Sequence, residues 1–142
     1  ELIKAMGKVQ SQSTSNTSSI SQAAAVEALN GNQDFISERS NAFKKRRDFV
    51  VSSLNNIKGL SCIKPNGAFY VFPNCKKLLN KKTKLKTDAD FVEQLLIKAN
   101  VAVVQGSAFG LDGYFRISYA TSMEKLKVAM DRIKTFCENL NS

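Results

Sequence analysis

Apolar residues recur at helical spacing in several stretches of this chain and alternate with polar ones in short runs between them. Over residues 1–12, Leu2, Ile3, Met6 and Val9 share one side of a short helix. The polar run Ser11-Gln12-Ser13-Thr14-Ser15-Asn16-Thr17-Ser18-Ser19 has too little apolar surface for anything but a loop. Ser19-Ile20-Ser21-Gln22 fits a capping box that opens an alanine-rich helix, closed by Asn30-Gly31. A longer helix is predicted from about Asp34 to Ile57, with Phe35, Ile36, Phe43, Val50, Leu54 and Ile57 as its buried stripe and Gly59 as its stop. Leu60-Ser61-Cys62-Ile63 and Ala68-Phe69-Tyr70-Val71-Phe72 read as strands around a Pro65-Asn66-Gly67 turn. Thr87 caps a helix with the face Phe91, Val92, Leu95, Leu96 and Ala99, and Asn100 suits its left-handed stop. Thr121-Ser122-Met123-Glu124 reads as a second capping box, starting a last helix that carries Leu126, Ala129, Met130, Ile133, Phe136 and Leu140.

Between these last two helices, the apolar run Val101-Ala102-Val103-Val104 is broken by two glycine-containing turns and resumes as Tyr114-Phe115-Arg116-Ile117-Ser118-Tyr119-Ala120. Side chains alternate along a strand, so Phe115, Ile117 and Tyr119 point one way and Tyr114, Arg116 and Ser118 the other. A guanidinium then stands on the polar side of a core-building strand, where its rigid fork could take a carboxylate in two parallel hydrogen bonds. Spacing alone leaves a structural ion pair or a solvated arginine open as well. The alternation of strands and helices predicts an α/β fold, a small mixed β-sheet packed against helices with two further helices at the N-terminal end.

Composition narrows the function classes. At 142 residues, with 43% hydrophobic and 23% charged, the chain is one domain's worth of ordinary globular protein. No stretch approaches eighteen apolar residues, so no membrane partner is expected. The first residues lack an initiator methionine and a signal-peptide layout, and read as a chain entered midway. Three cysteines, Cys62, Cys75 and Cys137, without C-x-x-C spacing argue against zinc or a disulfide framework and for a cytoplasmic location. With no histidine, histidine-based catalysis within this chain is excluded.

The net charge of +9 raises the question of nucleic acid. Lys76, Lys77, Lys81, Lys82, Lys84 and Lys86 lie in a segment without apolar periodicity, and Lys44-Lys45-Arg46-Arg47 would surround a helix instead of lining one face. Neither cluster interleaves with stacking aromatics. A solvated loop and a solvated helix face are expected, and no nucleic-acid partner.

Gln105-Gly106-Ser107-Ala108-Phe109-Gly110 followed by Gly113-Tyr114-Phe115-Arg116-Ile117-Ser118-Tyr119-Ala120 resembles the end of the class I pyridoxal-phosphate aminotransferases, in particular the bacterial aspartate aminotransferases. Lys64-Pro65-Asn66-Gly67-Ala68-Phe69-Tyr70 is similar to that family's P-x-G-A-F-Y hairpin, and Gln12-Ser13-Thr14-Ser15-Asn16 adds a third match in the family's order. Gln105 and Thr17 depart from it, since the family usually has proline at both places, and their loss should loosen both loops.

The resemblance implies that residues 1–30 are the end of a large domain and its junction, and residues 31–142 the C-terminal small domain. It implies that Arg116 binds the substrate α-carboxylate, and that Ser13, Thr14 and Ser15 belong to a loop reaching toward the partner subunit's active site in a homodimer. The implied reaction is amino-group transfer between an amino acid such as aspartate and a 2-oxo acid, with pyridoxal phosphate as cofactor of the full-length enzyme. The family's Schiff-base lysine motif does not occur here, so this chain alone is expected to bind no cofactor and to be inactive. Two other readings stay open: a non-catalytic remnant acting by protein association, and a small basic nucleic-acid-binding domain.

Overall fold

The computed structural model describes residues 1–80 and 82–141; Lys81 of the lysine-rich stretch lies outside the described residues. Its elements run α1 (Leu2–Ser13), α2 (Ser19–Asn30), α3 (Phe35–Asn55), β1 (Tyr70–Val71), α4 (Asp88–Ala99), β2 (Val104–Gln105), β3 (Phe115–Ser118) and α5 (Met123–Asn141), with short 3-10 turns at Lys76–Leu78 and Gly106–Phe109. The chain divides into two compact units, Glu1–Ile36 and Ser37–Ser142.

In the first unit, neither α1 nor α2 buries a residue, and Leu2, Ile3, Met6 and Val9 are all exposed. The polar run is shorter as a loop than its composition predicts. Ser11 and Ser13 stay helical by turning their hydroxyls onto the carbonyls of Lys8 and Val9, one turn back. The expected capping box at Ser19 does not form: the N-cap is Ser18, without a side-chain cap bond, and the Gln22 amide donates to the Thr17 carbonyl instead.

The second unit is built around β3. Phe115, Ile117 and Tyr119 are buried while Arg116 is half-buried and Ser118 exposed, the alternation its sequence demands. The buried side meets α4 and α5 through Phe91, whose ring lies 5.0 Å from Phe115 and 5.6 Å from Phe136. Val50, Val51 and Leu54 of α3 join the same core. Phe91 is fully buried, and truncating such a side chain to alanine costs about 3–5 kcal/mol.

The sheet order is β1-β3-β2, with β3 antiparallel to both neighbours. β1 and β2 therefore run the same way, joined through α4, with β3 inserted between them. The α/β class stands. A mixed sheet was expected from the β-α-β connectivity, but the two like-directed strands never pair, so both pairings are antiparallel.

The predicted Leu60–Ile63 strand is reduced to one bridge between Ser61 and Asn74. The Asn55 side chain takes over the backbone of Cys62, accepting from its N–H at 2.8 Å and donating to its carbonyl at 3.0 Å. Thr87 and Asp90 form the reciprocal cap of α4, and Asn100 stops it at φ 53°. The cap of α5 falls one residue later than predicted: the Ser122 hydroxyl, not that of Thr121, accepts from the N–H of Lys125. Phe35, Ile36 and Leu96, assigned to buried faces by periodicity, are about half exposed. Arg47, expected in a solvated cluster, is largely buried: it pairs with Asp48 and donates to the Pro65 carbonyl.

Candidate functional site

β3 carries Arg116 onto the sheet face away from the core, in register with Val104 of β2. Its guanidinium carbon lies 4.4 Å from the ring centroid of Tyr70 on the β1 side and 4.2 Å from that of Phe109, which follows β2. Phe72 continues this aromatic surface, edge-on to Phe109 at 5.9 Å and stacked with Tyr114 at 5.8 Å. A delocalised planar cation is held well by aromatic faces, which leave its in-plane N–H groups free to donate. Among the described residues, no carboxylate lies within ion-pair distance of Arg116. Such a group is suited to a planar carboxylate arriving from outside the chain.

The connection from β2 to β3 determines where Phe109 stands. Gly106 donates its N–H to the Tyr114 carbonyl at 2.7 Å, and a Cβ there would come within 2.4 Å of the Leu111 carbonyl oxygen, so only glycine allows this close backbone approach. The preceding Gln105 has φ −61°, the value proline would impose, so the turn keeps proline geometry without the ring.

Asp88, the first residue of α4, is 3% exposed, and its Oδ2 accepts from the Ser107 N–H at 2.7 Å. Burial alone would raise this carboxyl; the Ser107 N–H and hydroxyl, its own N–H and that of Gly113 outweigh burial and hold it below its ordinary range. Nothing in the sequence marks Asp88, because an acid in the first turn of a helix is an everyday dipole match. Phe109 belongs to the glycine-flanked motif, but no local pattern marks its contact with Arg116. The three cysteines are buried and form no disulfide among the described residues, and burial pushes the Cys75 and Cys137 thiols up to about 12, so neither is a nucleophile at neutral pH.

Ser13, Thr14 and Ser15 lie in the first unit. Ser13 ends α1 with its hydroxyl bonded to Val9, and Thr14 is the C-cap with its hydroxyl donating to the Gln10 carbonyl at 3.0 Å.

Pyridoxal phosphate, the cofactor the resemblance implies, needs a lysine for attachment and commonly an acid for its pyridine nitrogen. Every described lysine is exposed, and the buried carboxylate among the described residues, Asp88, is taken by Ser107. The residues present do not form that cofactor's cradle.

The family profile "Aminotransferase class I and II" matches residues 1–133. An aspartate aminotransferase of Rhizobium meliloti (strain 1021) is 58% identical over 99% of this chain and 35% of its own length. A probable aspartate/prephenate aminotransferase of Rhizobium leguminosarum bv. phaseoli is 57% identical over 96% of this chain and 35% of its own. The crystal structure of the aspartate aminotransferase from Rhizobium meliloti superposes on 96% of this chain with a TM-score of 0.88 at 58% identity, and again on 35% of that chain. The aspartate aminotransferase from Thermus thermophilus with maleate gives a TM-score of 0.80 at 37% identity, over 94% of this chain and 34% of that one. The chain belongs to the class I and II aminotransferase family. It spans about 35% of the length of these curated relatives.

Proposed function

We propose that this chain supplies the C-terminal, carboxylate-binding part of a pyridoxal-phosphate-dependent aminotransferase of the aspartate type. The whole enzyme moves an amino group between an amino acid such as aspartate and a 2-oxo acid. Residues 31–142 act as its small domain and residues 1–30 as the junction to the part that holds the cofactor. The observation that carries this reading is Arg116, placed on a sheet face over two aromatic rings with no carboxylate of its own among the described residues. Both substrates bear an α-carboxylate, and one bidentate arginine can orient both. The enzyme works as a cytoplasmic homodimer, in which Ser13, Thr14 and Ser15 approach the partner subunit's site.

In the full-length enzyme, Arg116→Lys should keep the fold and lower kcat/KM for both substrates by roughly 10- to 150-fold, about 1.5–3 kcal/mol for one charge-assisted contact. A structural arginine would show the reverse, an earlier unfolding midpoint with near-normal kcat/KM in the folded enzyme. That result would remove Arg116 from the site.

A further inference from the structure

The α4 N-terminus is capped without help from Asp88. The Thr87 hydroxyl accepts from the Asp90 N–H at 3.1 Å, and the Asp90 carboxylate accepts from the N–H groups of Lys86 and Thr87, each at 2.9 Å. The Asp88 carboxylate is therefore spare to its own helix. It is nevertheless buried and turned toward the connection between β2 and β3, where its Oδ2 accepts from the Ser107 N–H at 2.7 Å. Burying a charge is costly unless its hydrogen bonds are met, so the bond to Ser107 holds the start of this loop strongly.

That loop has one side chain at the site. Phe109 lies two residues beyond Ser107 in the same 3-10 turn, with its ring against the Arg116 guanidinium. Phe109 is 47% exposed, so core packing does not hold it and its place depends on the backbone that presents it. Gly110 closes the turn just after it with φ 76°, its N–H donating to the Ser107 carbonyl at 3.1 Å.

From this chain of contacts we propose that Asp88 is a positioning residue for the Arg116 site. Its carboxylate fixes the Gly106–Phe109 turn through Ser107, the turn sets the Phe109 ring, and the ring sets the plane of the guanidinium. The inference rests on reading Arg116 as the substrate-carboxylate group.

A double-mutant cycle in the full-length enzyme tests it with Asp88→Asn, Arg116→Lys and the pair. Asparagine keeps the volume and an acceptor oxygen, so the fold survives while a charge-assisted bond becomes a neutral one. Asp88→Asn alone should lower kcat/KM for the amino acid and the 2-oxo acid alike by roughly 3- to 10-fold. In the Arg116→Lys background the same change should have less than a twofold effect, because the geometry it controls is already lost. Equal effects in both backgrounds, or none in the wild type, would overturn the role of Asp88. If Arg116→Lys itself left kcat/KM unchanged, the carboxylate reading would fall instead.

A spectroscopic arm on this chain decides the positioning separately. Asp88→Asn and Phe109→Leu should move the Arg116 Nε–Hε resonance in the same direction and lower its heteronuclear NOE, while Phe115 and Ile117 amides hold their shifts. An Arg116 signal unmoved by Asp88→Asn and displaced by Phe109→Leu would show that the carboxylate does not set the ring, and would overturn the proposal.

Discussion

The Tyr119 hydroxyl donates to the carbonyl of Ala68 at 2.8 Å, across 51 positions of sequence. Ala68 has φ 60°, a left-handed conformation that costs a non-glycine residue strain, and the Tyr119 N–H also bonds the next carbonyl, Phe69, at 2.9 Å. The end of β3 thereby holds the hairpin that delivers Tyr70 to Arg116.

Replacing that hydroxyl is a direct check on the hairpin. Tyr119→Phe keeps the buried ring and the backbone bond but leaves the Ala68 carbonyl without its partner, at a cost of about 1–2 kcal/mol. The urea midpoint should fall with the slope m unchanged. An unchanged midpoint would mean that water serves the carbonyl equally well.

Gln105 offers a substitution of opposite sign. Gly106 and Tyr114 form a hydrogen-bonded pair, so alternation along the ladder leaves the Gln105 N–H outside it, and its φ of −61° is already that of proline. Gln105→Pro should therefore stabilise the chain by about 0.4–1 kcal/mol through the unfolded state. Loss of stability on chemical denaturation would show that the N–H has a partner.

The Asp88 carboxyl sets a pH dependence. Its folded value lies below its ordinary value of 3.8, so between the two the unfolded chain binds more protons than the folded one. The stability it contributes is present above the unfolded value and is lost as pH falls through the folded value. Asp88→Asn should lower the unfolding midpoint at pH 7 and flatten the decline below about pH 4, although Asp48, Asp90 and Glu124, also lowered, keep part of the slope. Parallel curves for the two proteins between pH 2 and 5 would contradict this.

Pyridoxal phosphate added to this chain should label exposed lysines weakly and without preference, since every described lysine is exposed. Borohydride trapping and peptide mapping read the outcome. One stoichiometric adduct at a single lysine would reveal a cofactor site that the fold does not suggest.

The sequence by itself determined the elements whose signals are local. Thr87 and Asn100 bounded α4, alternation placed Phe115, Ile117 and Tyr119 opposite Arg116, and helical periodicity found Leu126, Met130, Ile133 and Phe136 on α5. These patterns are read within one turn or one strand, and burial on one face enforces them. Which box caps α2 or α5 was not decided locally, because adjacent serines and threonines compete for the same N–H groups and a shift of one residue costs little. The insertion of β3 between β1 and β2, the promotion of Asp88 from a first-turn acid to the anchor of a distant loop, and the rings of Tyr70 and Phe109 against Arg116 belong to tertiary structure alone. Each joins residues of different elements of the chain, and no local propensity encodes which partner a face or a carboxylate will meet.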